Sequence, residues 1–436
     1  MTAFPKYPKY KDSGVEWLGE VPEHWEVSRN LGIFDERKEA NQPNAELLSV
    51  TQDRGIIRQS EITAKKDSSN DDKSKYKAVR VGDLAYNKMR AWQGALGVSE
   101  FEGIVSPAYI VLTPRNPKLA RFFHYLYRTP SFITEANRLS YGLCDDMNSL
   151  RYEDFKTSYS PIPKDAEIDR IVAFLDEKTA QIDALIAKKQ RQIELLDEQK
   201  AILINRAVTR GLHPNPDLQD SGIPWIGPIP KGWKVIKFRR LLAAIEQGAS
   251  PNAVQDNFDP NQWKVITLSA VKQGVFYPEA FKPISPSTEG KFSNTLRVGD
   301  FLLTRANTRT LVGDVCIVEG VLANTTFSDL VYRLRFNQPN KAQYLKCFLL
   351  SRAARCQIER DARGSNETMV KISHGHINEW DVVLPSESEM DDVVAHTAAL
   401  ENSTSVAIRA LESQIQTLQT LRSTLIAHAV TGKIKV

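Results

Sequence analysis

The chain repeats itself, and the repeat limits what it can fold into. Residues 12–27 read Asp-Ser-Gly-Val-Glu-Trp-Leu-Gly-Glu-Val-Pro-Glu-His-Trp-Glu-Val. Residues 220–235, displaced by 208 positions, read Asp-Ser-Gly-Ile-Pro-Trp-Ile-Gly-Pro-Ile-Pro-Lys-Gly-Trp-Lys-Val. Eight of the 16 positions are identical, where ordinary composition gives about one. Trp17 and Trp25 return as Trp225 and Trp233, although the whole chain holds only seven tryptophans. Further echoes follow in the same order. Arg80-Val81-Gly82-Asp83 returns as Arg297-Val298-Gly299-Asp300, and Ala207-Val208-Thr209 as Ala429-Val430-Thr431. A period this long is far beyond that of a solenoid repeat. It means two copies of one composite unit, a mixed domain followed by a helix.

The helices are the most regular part of the pattern. Residues 165–210 contain neither Gly nor Pro, and neither do residues 389–430. In the first stretch Ile168, Leu175, Ile182, Leu196 and Leu203 fall in a heptad register. Ile171, Val172, Leu185, Ile186 and Ile193 fill the intermediate seam, and Lys189 interrupts it once. In the second, Ile408, Leu411, Ile415, Leu418 and Leu425 alternate at three- and four-residue spacing. Sustained heptads argue for coiled-coil packing. Each helix has one narrow apolar stripe and needs a partner, and the simplest partner is the other helix. An antiparallel pair would form a rod of roughly 65–70 Å at ~1.5 Å per residue. Gly211, then Pro214 and Pro216, mark the first helix stop. Asp165 or Asp169 is expected to cap its start, and Pro385-Ser386 to open the second helix.

The expected architecture is therefore α+β: two tandem mixed domains separated by two long helices forming an antiparallel coiled coil, with pseudo-twofold internal symmetry. The expected boundaries are 1–164 for the first domain, 165–212 for the first helix, 213–387 for the second domain and 388–436 for the second helix. Strands are expected at 47–50, 109–112, 265–268 and 330–334, and paired helices at 119–127 and 342–350.

Catalytic signatures are missing from the sequence. It has no Gly-x-Gly-x-x-Gly and no phosphate-binding Gly-x-x-x-x-Gly-Lys-Ser/Thr. Thr431-Gly432-Lys433 lacks the upstream glycine. No Pro-Pro dipeptide occurs, so the Asp/Asn-Pro-Pro-Tyr/Phe motif of amino-methyltransferases is absent. His374 and His376 stand two apart without an evident third ligand, so a turn or strand-end role is favoured over metal binding. Cys144, Cys316, Cys347 and Cys356 form no Cys-x-x-Cys pair and are read as reduced thiols. No cofactor is expected. The net charge of +4 carries little by itself. No apolar run is long enough to span a membrane, and a cytoplasmic location is the default.

Two loops have the chemistry of a nucleic-acid surface. After Gly-Asp in the first half come Asn87-Lys88-Met89-Arg90-Ala91-Trp92-Gln93-Gly94, and at the same place in the second come Thr304-Arg305-Ala306-Asn307-Thr308-Arg309-Thr310. Arg reaches guanine edges bidentately and Asn or Gln pairs with adenine edges. Lys, Ser and Thr more often meet phosphates. Lys88, Arg90, Trp92, Gln93, Arg305, Asn307, Arg309 and Thr310 are the candidate contacts. A second pair of loops, 140–151 and 363–371, adds Ser365, Asn366 and Lys371. The basic run Lys73, Lys75 and Lys77 is as readily a solvated loop as a binding patch. The stretches 31–44 and 249–259 show no specific signal.

With these motifs in place, the chain resembles the specificity subunits of type I restriction–modification systems. The resemblance rests on Trp17-Leu18-Gly19-Glu20-Val21-Pro22-Glu23-His24-Trp25 with its second copy, and on 87–99 followed by Gly103-Ile104-Val105-Ser106-Pro107. It rests also on Ser328-Asp329-Leu330-Val331-Tyr332-Arg333-Leu334 and on the Ala-Val-Thr helix exits. It implies two target-recognition domains, each reading one half of a bipartite double-stranded DNA target, with the helices as the ruler for the gap. It also implies two DNA-methyltransferase subunits bound to the helices and restriction–translocation subunits joining them. The partners would hold all catalytic sites, leaving this chain a non-enzyme. The competing expectation is a coiled-coil scaffold that binds proteins without specific DNA readout.

Overall fold

A computed structural model describes residues 4–40, 42, 44–62, 73–142, 148–249, 262–284, 294–320, 323–364 and 369–436. The chain divides into two compact units, Met1–Gln190 with Glu412–Val436, and Arg191–Leu411. Each unit therefore combines one mixed domain with a stretch of both long helices, α1 (Asp165–Arg210, 46 residues) and α2 (Glu387–Val430, 44 residues).

In the first unit a four-stranded antiparallel sheet is built from β1 (Phe34–Glu36), β2 (Leu84–Asn87), β3 (Leu96–Val98) and β4 (Tyr109–Pro114), in the order β1-β4-β2-β3. Val111 pairs with Ala85, which pairs with Gly97. In the second unit β5 (Leu242–Gln247), β6 (Phe301–Thr304), β7 (Val315–Ile317) and β8 (Val331–Phe336) repeat the order as β5-β8-β6-β7. Leu302 pairs with Arg333 on one side and with Cys316 on the other. The duplication read in the sequence is thus a duplication of sheet topology. It extends to smaller parts. In the second unit Lys264–Ile266 runs parallel to Thr325–Phe327, and in the first the equivalent pair is a single parallel bridge, Leu47 to Ile104. The helices Leu119–Leu126 and Ala342–Leu350 also correspond.

The repeated motifs have structural causes. Each domain closes with an antiparallel pair that leads into a long helix: Glu26–Arg29 with Tyr159–Ile162, and Lys234–Lys237 with Asp381–Leu384. The second tryptophan of each copy is tied to a glutamate in the first turn of that helix. Trp25 Nε1 donates to Glu167 at 3.0 Å and Trp233 Nε1 to Glu389 at 3.1 Å. The aspartate of each Val-Gly-Asp triplet is buried. Asp83 accepts from the Arg80 N–H and from Arg37, and Asp300 from the Arg297 N–H, Arg333 and Arg335. The glycine after each Ala-Val-Thr exit is left-handed, at φ +72° for Gly211 and +73° for Gly432, and lies against the same tryptophan: Trp233 and Trp25 respectively.

Within the first unit, Ile168, Ile171, Leu175 and Ile182 of α1 share a core with Leu425, Ile426, Ala429 and Val430 of α2. Asp183 pairs with Arg422 at 2.9 Å, and Lys189 with Gln414. As α1 advances, α2 retreats, so these segments run antiparallel. Within the second unit, Leu195 and Leu196 face Ala407, Ala410 and Leu411 across one groove. Further along, Ala207 and Val208 share a core with Met390 and Val393, again antiparallel.

Several sequence expectations need correction. Leu185 is 46% exposed and outside the seam, because a straight helix at 3.6 residues per turn drifts from a strict heptad. Lys189 is bonded across the pair. Asp165 is the first helical residue and accepts from Asn116, while Asp169 accepts from Lys118, so neither caps α1. Ser386 does open α2, through a reciprocal capping box with Glu389. His374 and His376 begin a short helix, His374–Glu379, and not a strand end. Cys316 and Cys347 are buried and free, Cys356 is free and exposed, and Cys144 lies outside the described residues. No helix among the described residues is long and apolar enough to cross a membrane.

Candidate nucleic-acid interface

Both candidate loops leave the same strand position, the end of β2 and the end of β6. In the first unit the Asn87 carboxamide accepts from the Met89 N–H at 3.0 Å, turning the chain as it leaves the sheet. Gly94, at φ +91°, closes the turn. The exposed Arg90 donates to Gln93 Oε1 at 3.1 Å, and Gln52 donates to the same oxygen at 2.9 Å. This makes a surface row of a guanidinium and two amides. Trp92 is half-buried and bonded to the Met89 carbonyl. Lys88 is held by its backbone: its N–H meets the Ala108 carbonyl at 3.3 Å, and its carbonyl accepts from Leu150 at 2.9 Å.

The second unit repeats that backbone pattern. The Arg305 N–H meets the Leu330 carbonyl at 2.8 Å, and the Arg305 carbonyl accepts from Ile372 at 2.9 Å. Arg305 is thus the positional counterpart of Lys88. Two candidate regions that are separate in sequence meet here. Ala306–Asn307 pairs with Val370–Lys371, and Arg305 and Lys371 line one pocket while Asn307 lines another. The corresponding crossing in the first unit is the bridge of Tyr141 to Ser149, matched by Arg363 to Lys371 in the second. Arg309 and Thr310 are bonded elsewhere. Arg309 donates to the Glu359 carbonyl, and Arg355 grips the carbonyls of Arg309 and Thr310 at 3.2 Å each. Ser365 and Asn366 lie outside the described residues.

The basic run at 73–80 is in part structural. Lys77 donates to the Tyr109 carbonyl at 2.8 Å, and burial pulls its pKa below the lysine norm. Arg80 pairs with Glu39 at 2.9 Å. Sequence reasoning passed over Gln52, named Tyr332 only within a repeated motif, and included Tyr141, Arg151 and Arg363 in candidate loops without choosing them as contacts. Arg151 lies 4.6 Å over the Tyr141 ring, and Tyr332 stands between Arg305 and His374. His374 is held below the usual histidine range by burial, with Arg305 adding to the effect. No group of three metal-type side chains occurs among the described residues.

Two copies of one sheet topology, each placing a cationic loop at the same strand end and each packed on part of two long helices, define the class: an internally duplicated chain of two mixed domains, each joined to long helices. Within that class the chain is similar to specificity subunits of type I restriction enzymes. It is 24% identical over 196 residues to the EcoEI specificity subunit of Escherichia coli, covering 44% of this chain and 32% of that protein. It is 20% identical over 430 residues to the MjaVIII specificity subunit of Methanocaldococcus jannaschii, covering 95% and 94% of the two chains. The match thus spans about a third of the EcoEI relative's length and nearly all of the MjaVIII relative's. The fold is shared with a chain from a solved structure on complex assembly and conformational transition of the type I R-M system. That likeness has a TM-score of 0.67 at 16% identity, over 94% of this chain and 98% of that one. No family model matches the chain.

Proposed function

We propose that this chain is the DNA-reading specificity subunit of a type I restriction–modification complex, a non-enzymatic adaptor acting in the cytoplasm. Residues 1–164 and 213–387 are the two target-recognition domains, and 165–212 and 388–436 are the spacer helices. Each domain reads one half of a bipartite double-stranded target. The helices set the gap and carry two methyltransferase subunits, with restriction–translocation subunits joining for cleavage. The observation that carries this reading is the recurrence of a cationic loop at the end of the same strand in both units, crossed by the same bridged segment. Around that shared backbone the neighbouring side chains differ: Arg90 and Gln93 in one unit, Asn307 in the other. A constant frame with variable side chains suits two half-sites of different sequence. The relatives' names support the same reading.

Two linked domains convert two modest binding events into one tighter event through effective concentration. A fixed separation also selects half-sites whose grooves are in phase every 10–10.5 bp or so. A scaffold that binds only proteins has no need of duplicated cationic loops. The test is methyl transfer with purified components. The chain alone modifies and cuts nothing, whereas with its methyltransferase subunits one bipartite motif is modified. Methyl transfer by the lone chain overturns the adaptor reading.

A further inference from the structure

We infer that the pocket between Arg305, Lys371 and His374 in the second unit seats a DNA backbone phosphate, so that Arg305 fixes position and does not read a base. The inference rests on the DNA-reading function proposed above and assigns one of its contacts.

The pocket is about 320 Å³, and Arg305, Tyr332, Arg363, Lys371, His374 and His376 all line it. No lining residue is acidic. Arg305 Nε and His376 Nδ1 are both buried and lack a hydrogen-bond partner among the described residues. Buried polar groups are nearly always bonded, and an orphaned one is costly. A phosphate offers only acceptor oxygens and a negative charge, which is what this donor set lacks.

The geometry also disfavours base reading by Arg305. Its guanidinium lies 5.8 Å over the Tyr332 ring, and its Nη1 donates to the Asp329 carbonyl at 3.2 Å. Bidentate guanine recognition needs two N–H groups free along one edge. Here Nη1 is already engaged and Nε is buried.

The first unit supplies an independent argument. Lys88 occupies the position of Arg305 by backbone pairing, and Arg151 stands on Tyr141 beside the same crossing. If the two half-sites differ, a base-reading residue has no reason to remain cationic in both units. A phosphate anchor does, because every sequence presents the same phosphate. Lysine serves that role as a point charge and arginine as a planar one.

Inorganic phosphate and a DNA phosphodiester share this chemistry, so the test uses both. The full chain is labelled with ¹³C at histidine, and the signals are assigned with His374→Gln and His376→Gln. It is then titrated with inorganic phosphate and with duplex DNA. Affinity is measured across a salt series for the wild type, Arg305→Ala and Lys371→Gln; the second variant removes a rim charge and leaves the Tyr332 stack intact.

The inference expects duplex DNA to move the His374 and His376 signals. It expects Arg305→Ala to weaken binding roughly tenfold, equally on target and random duplexes. The slope of log affinity against log salt should become shallower by about 0.9 for the lost contact. A loss confined to one position of one half-site, with the slope unchanged, makes Arg305 a base reader and overturns the inference. So does wild-type DNA affinity in both variants with unmoved histidine signals, a result that leaves DNA reading by the chain intact. If inorganic phosphate moves the histidines while no duplex binds at any salt, the DNA-reading function itself fails, and the assigned occupant with it.

Discussion

Glu167 offers a quantitative test of why the repeated tryptophan motif persists. Its carboxylate is buried in the first turn of α1 and receives three donors. Trp25 Nε1 and His24 Nε2 donate to one oxygen at 3.0 and 2.9 Å, and the Tyr7 hydroxyl donates to the other. Trp25 and Tyr7 are buried, whereas His24 is partly open to water. In Glu167→Ala the indole N–H and the phenol lose their acceptor with no water to replace it, at about 1–3 kcal/mol each. With the lost charge-assisted bonding, about 3–5 kcal/mol is expected. Glu167→Gln should be milder. Its oxygen still serves Trp25 and its amide donates to the Tyr7 oxygen, but the Tyr7 hydroxyl loses its acceptor, so the loss is about 1–3 kcal/mol. A two-unit chain need not unfold in one step, so amide hydrogen exchange resolved by peptide is the suitable assay. Glu167→Ala should accelerate exchange in the first unit roughly 100-fold or more, at about 1.4 kcal/mol per tenfold, and leave the second near wild type. Equal effects from Ala and Gln, or an Ala effect under tenfold, would refute the reasoning. pH gives a further check. Burial opposes ionisation of Glu167, but bonds from Tyr7, His24 and Trp25 outweigh it and hold its pKa below the usual glutamate value. The stabilisation is therefore complete above the ordinary value of roughly 4.3 and is lost as pH falls through the lower folded value. The gap between wild type and Glu167→Gln should close over that acidic window.

Two further substitutions probe the other repeated motifs. Asp300→Ala removes the acceptor of Arg335 at 2.7 Å and of the buried Arg333 at 3.0 Å. It should cost about 3–5 kcal/mol, read as faster exchange confined to the second unit; unchanged exchange there would show that Glu246 alone satisfies both cations. Gly432→Ala forces a side chain at φ +73°, with its Cβ 2.6 Å from Pro22 Cγ. A loss of about 1–3 kcal/mol in the first unit is expected, and a neutral effect would mean that the helix exit moves freely away from Pro22.

The parts of the fold that were legible in sequence are those fixed by local periodicity or by identity between copies. Absence of Gly and Pro with a recurring apolar stripe marked both helices, and the echoes marked the duplication. What those echoes mean was not legible. Trp25, Trp233, Asp83 and Asp300 recur because each joins a buried hydrogen-bond group to a distant partner, and such partners follow only from the folded sheet. The candidate site divides in the same way. The loops after β2 and β6 were visible as cationic runs following a repeated Gly-Asp. The joining of Asn307 to Val370 is a long-range strand pairing with no local signature, and it separates Arg305 and Lys371 from Arg309 and Thr310. Leu185 fell outside the seam because the real helical period departs slightly from seven residues per two turns.

The central claim is that two reading domains are spaced by the two long helices. Seven residues deleted from each helix, in register between the antiparallel partners, should shorten the spacer by about 10 Å, or roughly three base pairs at 3.4 Å each. Sequencing of modified bases in a host carrying the shortened chain with its methyltransferase subunits reads the outcome directly. The account predicts the same two half-sites with a shorter gap. Altered half-site letters with an unchanged gap would contradict it.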